Sequence, residues 1–304
     1  MKNVFFVGFL CVLSFCQVRE NEEQIAADTS GFTFAFLTDI HLQPERNAAT
    51  GFQQAISRVN ELNPDFVITG GDLIMDALGV TYERADSLYD MYMESAKNLN
   101  MPVYNSIGNH EVYGLYEESG SDTTHTEYGK GMFESRLGKR YYSFDHKGWH
   151  FMILDAVGMT PERKYIGHID DEQVEWITSD LANIDKSTPV VISVHIPFIT
   201  SYTQLTRGTQ AANGPGMVIT NGTDVLKLFL PYNLRLVLQG HLHFLEDLYI
   251  DNRIHFITAG AVSGRWWQGR LTDHSEEGFL LVRASGETID WDYVDYGWEV
   301  TAAE

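Results

Sequence analysis

Five short polar motifs, each placed behind a run of apolar β-formers, constrain this chain more than any other feature. They are Asp39-Ile40-His41 after FTFAFLT, Gly70-Gly71-Asp72 after DFVIT, Gly108-Asn109-His110-Glu111 after the Pro102–Ile107 run, His195 after VVISV, and Gly240-His241-Leu242-His243 after LRLVLQ. In an α/β sheet the carboxyl ends of the strands form a ligand crevice, so side chains remote in sequence converge there. The motifs bring two aspartates, one asparagine and five histidines to such a crevice. That mixture of carboxylate, amide oxygen and imidazole suits first-row metals such as zinc, manganese or iron. Calcium and magnesium prefer shells built almost wholly of oxygen.

Spacing adds detail. Asp39 and His41 stand two apart at a strand end, so both side chains lean to one face. His241 and His243 repeat that spacing after a glycine, where the chain bends and splits them between two ions. Asp72, on a Gly-Gly turn, is placed to bridge those ions with its two oxygens. Taken singly, a D-x-H or H-x-H is a common turn, and G-G-D marks only a tight bend. Five such motifs in this order, all behind β-runs, are not explained by turns. Two ions about 3.5–4 Å apart clamp the attacking and leaving oxygens of an in-line displacement and supply hydroxide near neutral pH.

The elements between the motifs set the fold class. Phe32–Asp39, Asp65–Thr69 and Pro102–Ile107 read as strands, separated by helices at Gly51–Leu62 and Tyr82–Leu99 with apolar residues at helical spacing. Asn63-Pro64 stops the first helix. Arg140–Asp145 and Trp149–Leu154 read as a hairpin, Asp170–Ile184 as a helix, and Pro189–Val194 and Leu234–Gln239 as buried strands. Strands at Leu245–Ile250, Ile254–Thr258, Gly278–Arg283 and Thr288–Val294 follow. Such an order predicts an α/β fold of two packed sheets covered by helices. Thr200–Gly222, rich in glycine and poor in large apolar residues, reads as a long loop bordering the site.

Charge narrows the ligand. With 21 lysines and arginines against 42 acidic residues, the net charge is −21. A surface so acidic offers polymeric nucleic acid no basic footprint, whereas bound cations reverse the field locally for a small phosphate ester. At the amino terminus Lys2 precedes the apolar run Val4–Cys16, and RENEE follows. The run is shorter than the ~20 residues of a bilayer span and matches a signal peptide. The division expected is a signal peptide over 1–16, a polar segment over 17–30 and a single domain over 31–304, in an exported chain with no transmembrane span after cleavage. Cys11 and Cys16 are the only cysteines. Cys16 is either a lipidation site or lies just before an ordinary cleavage point.

The ordered set D-x-H, G-D, G-N-H-E, H and G-H-x-H, spanning Asp39 to His243, resembles the calcineurin-like metallophosphoesterase superfamily. The D-x-H opening is closest in pattern to its cyclic-nucleotide phosphodiesterase and sphingomyelinase-like branches. The resemblance implies a double β-sandwich flanked by helices, a four-layer αββα fold, with two metal ions at one edge. Carried over position by position, Asp39, His41 and His243 hold one ion, Asn109, His195 and His241 the other, and Asp72 both. His110 contacts a phosphoryl oxygen and assists the leaving group. A hydroxide bridging the ions attacks a phosphodiester or phosphomonoester. Purple acid phosphatases carry a tyrosine three residues after the bridging aspartate; Met75 stands there, which argues against a ferric–tyrosinate centre but not against iron. Ile196 stands where many relatives have a second histidine after the first.

Substrate contacts are less determined. Arg265 is a phosphate-pairing candidate, and Trp266 or Trp267 a stacking surface, against the alternative of a core tryptophan and a solvated arginine. Tyr113 and Asp155 are placed at the same rim, Asp155 either orienting a ligand histidine or closing a turn. Arg207 is a weaker candidate in the long loop. Mono- or diester preference, the native metals and the oligomeric state stay open. A metal-binding protein of the same fold without turnover is the alternative from another class.

Overall fold

In a computed structural model, residues 31–269 and 275–300 are described. The signal-peptide, polar-segment and lipidation expectations fall outside them. Thirteen strands and six α-helices are present among these residues. The strands are β1 (Phe32–Leu37), β2 (Phe66–Thr69), β3 (Val103–Tyr104), β4 (Tyr142–His146), β5 (Trp149–Leu154), β6 (Val157–Met159), β7 (Tyr165–Gly167), β8 (Pro189–Val194), β9 (Asn233–Gln239), β10 (Glu246–Ile250), β11 (Ile254–Thr258), β12 (Gly278–Ser285) and β13 (Thr288–Asp295). The helices are α1 (Ala48–Leu62), α2 (Tyr82–Ala96), α3 (Gly131–Leu137), α4 (Asp171–Leu181), α5 (Tyr202–Arg207) and α6 (Gly222–Leu228).

One sheet runs β13-β12-β1-β2-β3 and the other β10-β11-β9-β8-β5-β4. Within them β1, β2 and β3 are parallel, as are β5, β8, β9 and β11. Strand pleat then sorts the side chains into layers. Phe32, Phe34 and Phe36 of β1 meet Trp149, Phe151 and Ile153 of β5 and Leu236 and Leu238 of β9 in a core between the sheets. The alternate residues Ala35 and Leu37 face Phe52, Ile56 and Val59 of α1 and Leu88, Tyr89 and Tyr92 of α2. On the far side Met152, Leu154, Ile192 and Val237 pack with Ile177 and Leu181 of α4 and Val225 of α6. Three cores separate four layers, helix, sheet, sheet, helix, as expected.

Helix boundaries follow capping chemistry. Asn63 ends α1 in the left-handed conformation, its N–H bonded to the Val59 carbonyl, with Pro64 after it. The Thr81 hydroxyl and the Asp170 carboxylate cap α2 and α4.

Two expectations change, and one strand pair is added. The third strand shrinks to Val103–Tyr104, because from Asn105 onward side chains replace the ladder: Tyr92 donates to Asn105 Oδ1 at 2.6 Å and Ser106 N to Thr69 Oγ1 at 3.2 Å. The long loop is not wholly irregular, since it holds α5, with Ser201 N and Oγ ahead of it donating to Glu246. The β6–β7 pair, three residues each, is too short to leave a periodic signal. Among the described residues no helix is long and apolar enough to cross a membrane.

Candidate metal centre

Parallel strands deliver the motifs to one edge of the sandwich, where backbone bonds continue the strand pairing within each sheet. Asp39 N donates to Gly71 O at 3.0 Å, His41 N to Asp72 O at 2.9 Å, and Gly240 N to His195 O at 2.9 Å. His241 N donates to Asp39 Oδ2 at 3.0 Å, joining the D-x-H and G-H-x-H turns directly. Glycine is required at these crossings. A Cβ on Gly240 would lie 2.1 Å from Thr38 Oγ1, and one on Gly108 2.3 Å from Asp72 N.

The side chains are not aimed by the strand pleat, as their i, i+2 spacing suggests. β1 has already ended, and Asp39 and His41 take positive φ, 55° and 48°. Asp72, His241 and His243 do likewise, at 52°, 73° and 51°. Five left-handed residues spread over three turns, not extended chain, gather these groups.

Asp39, His41 and His243 form one set of side chains close enough to share an ion; Asp72, His195 and His241 form a second; His41, Asp72 and His110 overlap both. His41 Nε2 lies 3.0 Å from His243 Nε2, and His243 Nε2 3.2 Å from Asp39 Oδ1. On the other side His195 Nε2 is 3.1 Å from Asp72 Oδ2 and 3.2 Å from Asn109 Oδ1. His41 Nε2, 3.7 Å from Asp72 Oδ2, spans the two sets. His195, Asp39, His41, Asp72, Asn109 and His243 are all buried; His241 and His110 are partly open to solvent. All eight residues named from the sequence are together.

Their outer atoms fix their inner ones. His195 Nδ1 donates to Gly70 O at 2.7 Å, His243 Nδ1 to Gly264 O at 2.6 Å and His241 Nε2 to Gly216 O at 2.8 Å. A carbonyl only accepts, so each outer nitrogen carries the proton and each inner nitrogen offers a lone pair. Buried His41 Nδ1 has no hydrogen-bond partner among the described residues. Burial alone would raise the Asp39 and Asp72 pKa values, but where no cation takes the inner nitrogens, protonated His243 beside Asp39 and protonated His195 beside Asp72 hold both carboxyls below the usual carboxylate range. Inward lone pairs and two buried carboxylates form a donor set that fits metal cations.

Glu111 is the residue whose part the sequence reading missed. Its carboxylate accepts the backbone N–H groups of Gly108, Leu73, Asp72 and Ile74 at 2.7, 2.7, 2.8 and 3.2 Å, locking the G-G-D turn to the G-N-H-E turn. The signal was present as the last letter of G-N-H-E.

The rim candidates separate. Trp266 stands at the cluster, its ring 5.0 Å from that of His243 and 6.0 Å from that of His41. Trp267 is core instead: 1% exposed, it donates from Nε1 to the carbonyls of Ile40 and His41 and lies over Gly51. Arg265 is exposed. Tyr113 does not line the rim, because it is buried in the α1–α2 core, edge-on to Tyr82 at 5.6 Å. Asp155 orients no ligand histidine; its carboxylate pairs with Lys130 at 2.5 Å and Arg140 at 2.8 Å. Arg207 is exposed at the end of α5. The long segment does reach the site, through Gly216.

The sequence profile described as calcineurin-like phosphoesterase matches residues 32–245, most of the chain. The chain belongs to the calcineurin-like phosphoesterase family. Among curated relatives, purple acid phosphatase 15 of Arabidopsis thaliana is 29% identical over 179 residues, covering 58% of this chain and 30% of that protein. A transmembrane protein with a metallophosphoesterase domain from Danio rerio is 30% identical over 104 residues, covering 34% of this chain and 22% of that one. The matches thus span about a third or less of those relatives. Of solved structures, a dimetal phosphatase from Danio rerio superposes with a TM-score of 0.57 at 17% identity, covering 88% of this chain and 99% of that chain. GAP50, the anchor in the inner membrane complex of Plasmodium, gives 0.56 at 17% identity, covering 89% and 86%. These two likenesses bear out the fold expected of a calcineurin-like phosphoesterase.

Proposed function

We propose that this calcineurin-like phosphoesterase hydrolyses small phosphate esters at a two-metal centre. Asp39, His41 and His243 would hold one ion, Asn109, His195 and His241 the other, and Asp72 both. The observation that carries the reading is the set of three outward histidine N–H groups on Gly70, Gly264 and Gly216 carbonyls, which turns the inner lone pairs toward Asp39 and Asp72. When bound, zinc, manganese or iron supplies Lewis acidity and acidifies water.

The chain's own groups do the positioning. His110 directs Nδ1 at the Met75 carbonyl and Nε2 toward Asp72 Oδ2, 3.9 Å away, on the partly open side of the cluster. There, when both ring nitrogens carry protons, the Nε2 proton would be placed to bond a phosphoryl oxygen and to pass to the leaving alcohol. The Trp266 ring walls the His41–His243 side and limits water. The net charge of −21 supports small esters over nucleic-acid polymers. The apolar leader Val4–Cys16 supports export.

A second reading, preference for monoesters over diesters, draws on the plant relatives named acid phosphatases. The ratio of activity on nitrophenyl phosphate to that on its bis-ester separates the two. Against a metal-binding role without turnover stands the presence of all seven donors and His110.

The test is a pair of variants. Asp72→Asn is expected to lose bound metal and activity together. His110→Ala is expected to keep its metal and lose about 10²–10⁴-fold in kcat. If both turn over as fast as the parent, the assignment is wrong.

A further inference from the structure

A cavity of about 530 Å³ opens beside the cluster, lined by Tyr116, Tyr165, Lys164, Glu117, Glu162 and Gly216 among others. Two of its lining residues, Tyr165 and Gly216, touch His241 of the proposed centre. The Tyr165 ring stands edge-on to that of His241 at 5.9 Å, and Gly216, whose carbonyl bonds His241 Nε2, lies against Tyr165 closely enough that an added Cβ would touch the ring at 3.5 Å. Its two walls are tied together. Arg163, in the turn between β6 and β7, donates to the carbonyls of Leu115 at 2.8 Å, Gly114 at 2.6 Å and Tyr116 at 3.1 Å. That clamp fixes the Tyr116 wall relative to the Tyr165 wall and occupies three of the guanidinium's five N–H donors.

The lining chemistry selects an occupant. Burial pushes Tyr165 up to about 12 and raises Tyr116, so both phenols remain O–H donors, and Lys164 adds N–H donors. Carboxylates of Glu117, Glu118 and Glu162 supply acceptors and disfavour a second phosphate. A quaternary ammonium would leave the phenol and amine donors unmatched, and a plain aryl group would match neither donors nor acceptors. A hydroxyl-rich ring meets both, with its C–H faces against the tyrosine rings. The volume falls within the range of sites for molecules larger than phosphate.

We propose that this cavity is the leaving-group site of the phosphoesterase and that it takes an uncharged, polyhydroxylated ring, a sugar-type alcohol, with Tyr116 and Tyr165 as its specificity-determining contacts. The proposal rests on the phosphoesterase reading. Calorimetry on the metal-loaded full chain tests it with two ligands that cannot be hydrolysed: methylphosphonate, and the methylene phosphonate analogue of glucose 6-phosphate. The sugar analogue is expected to bind about tenfold more tightly than methylphosphonate in the parent. Tyr165→Phe and Tyr116→Phe, which keep the rings, are each expected to lose about threefold of that advantage, and Tyr165→Ala nearly all of it, with methylphosphonate binding unchanged. Equal affinity for the two ligands in the parent would overturn the proposal, as would an advantage untouched in all three variants. Tighter binding of 2-aminoethylphosphonate than of the sugar analogue would overturn the ligand class. Failure of methylphosphonate itself to bind would remove the phosphoesterase reading, and the pocket assignment with it.

Discussion

Left-handed backbone at Asp39, His41, Asp72, His241 and His243 is costly for residues that carry a Cβ, on the order of 1 kcal/mol each. Aspartate and histidine enter that region more readily than β-branched residues, and the surrounding sheet ends hold them there. Trp266 and Trp267 share the conformation, at φ 48° and 65°, yet face opposite ways. One stands at the histidines; the other is buried beneath the Asp39–His41 turn and bonds its carbonyls. Their truncations therefore diverge. Trp267→Ala is expected to cost about 3–5 kcal/mol, read as a large fall in Tm. Trp266→Ala is expected to leave Tm nearly unchanged and alter KM. Equal loss of stability in both would contradict the assignment of Trp266 to the site.

At the scale of elements, hydrophobic period was sufficient wherever a strand or helix buries one face. Alternation of Phe34 and Phe36 with Ala35 and Leu37 already separates the inter-sheet core from the helix side. What local pattern does not contain is partnership across the fold. Tyr113 looked like a rim residue because Glu111 is near in sequence, but its ring meets α2; Asp155 follows a buried strand as the ligands do, but Lys130 and Arg140 claim it. His150 on β5, which carries no ligand spacing, is a satisfied core histidine: it is buried between Asp180 at 2.8 Å and Asp145 at 2.7 Å, linking β5 to α4 and β4. Burial opposes its charge, yet the two carboxylates raise its pKa above 6.5. A raised folded-state pKa means that its stabilisation is complete below the unfolded value and is lost as pH rises through the folded one. Thermal denaturation across that interval is expected to show Tm falling more in the parent than in His150→Gln. Parallel profiles would show that the pairs contribute nothing.

The whole molecule places a donor-rich edge on an otherwise strongly acidic body, where bound cations would give the proposed anionic ester its approach. The metal motifs were legible because each ligand immediately follows, or closely follows, a strand in parallel arrays. The cavity was not, since Tyr116, Tyr165 and Gly216 come from a turn, a three-residue strand and the long segment, none with a periodic signature. The central claim is that seven donors from Asp39 to His243 hold a pair of ions on which turnover depends. Metal analysis of the purified chain during stepwise reconstitution, with phosphatase activity followed in parallel, tests it most directly. The account predicts saturation at two ions per chain, with full activity only when both are present and no more than one retained by Asp72→Asn. Full activity with a single ion, or with none, would contradict it.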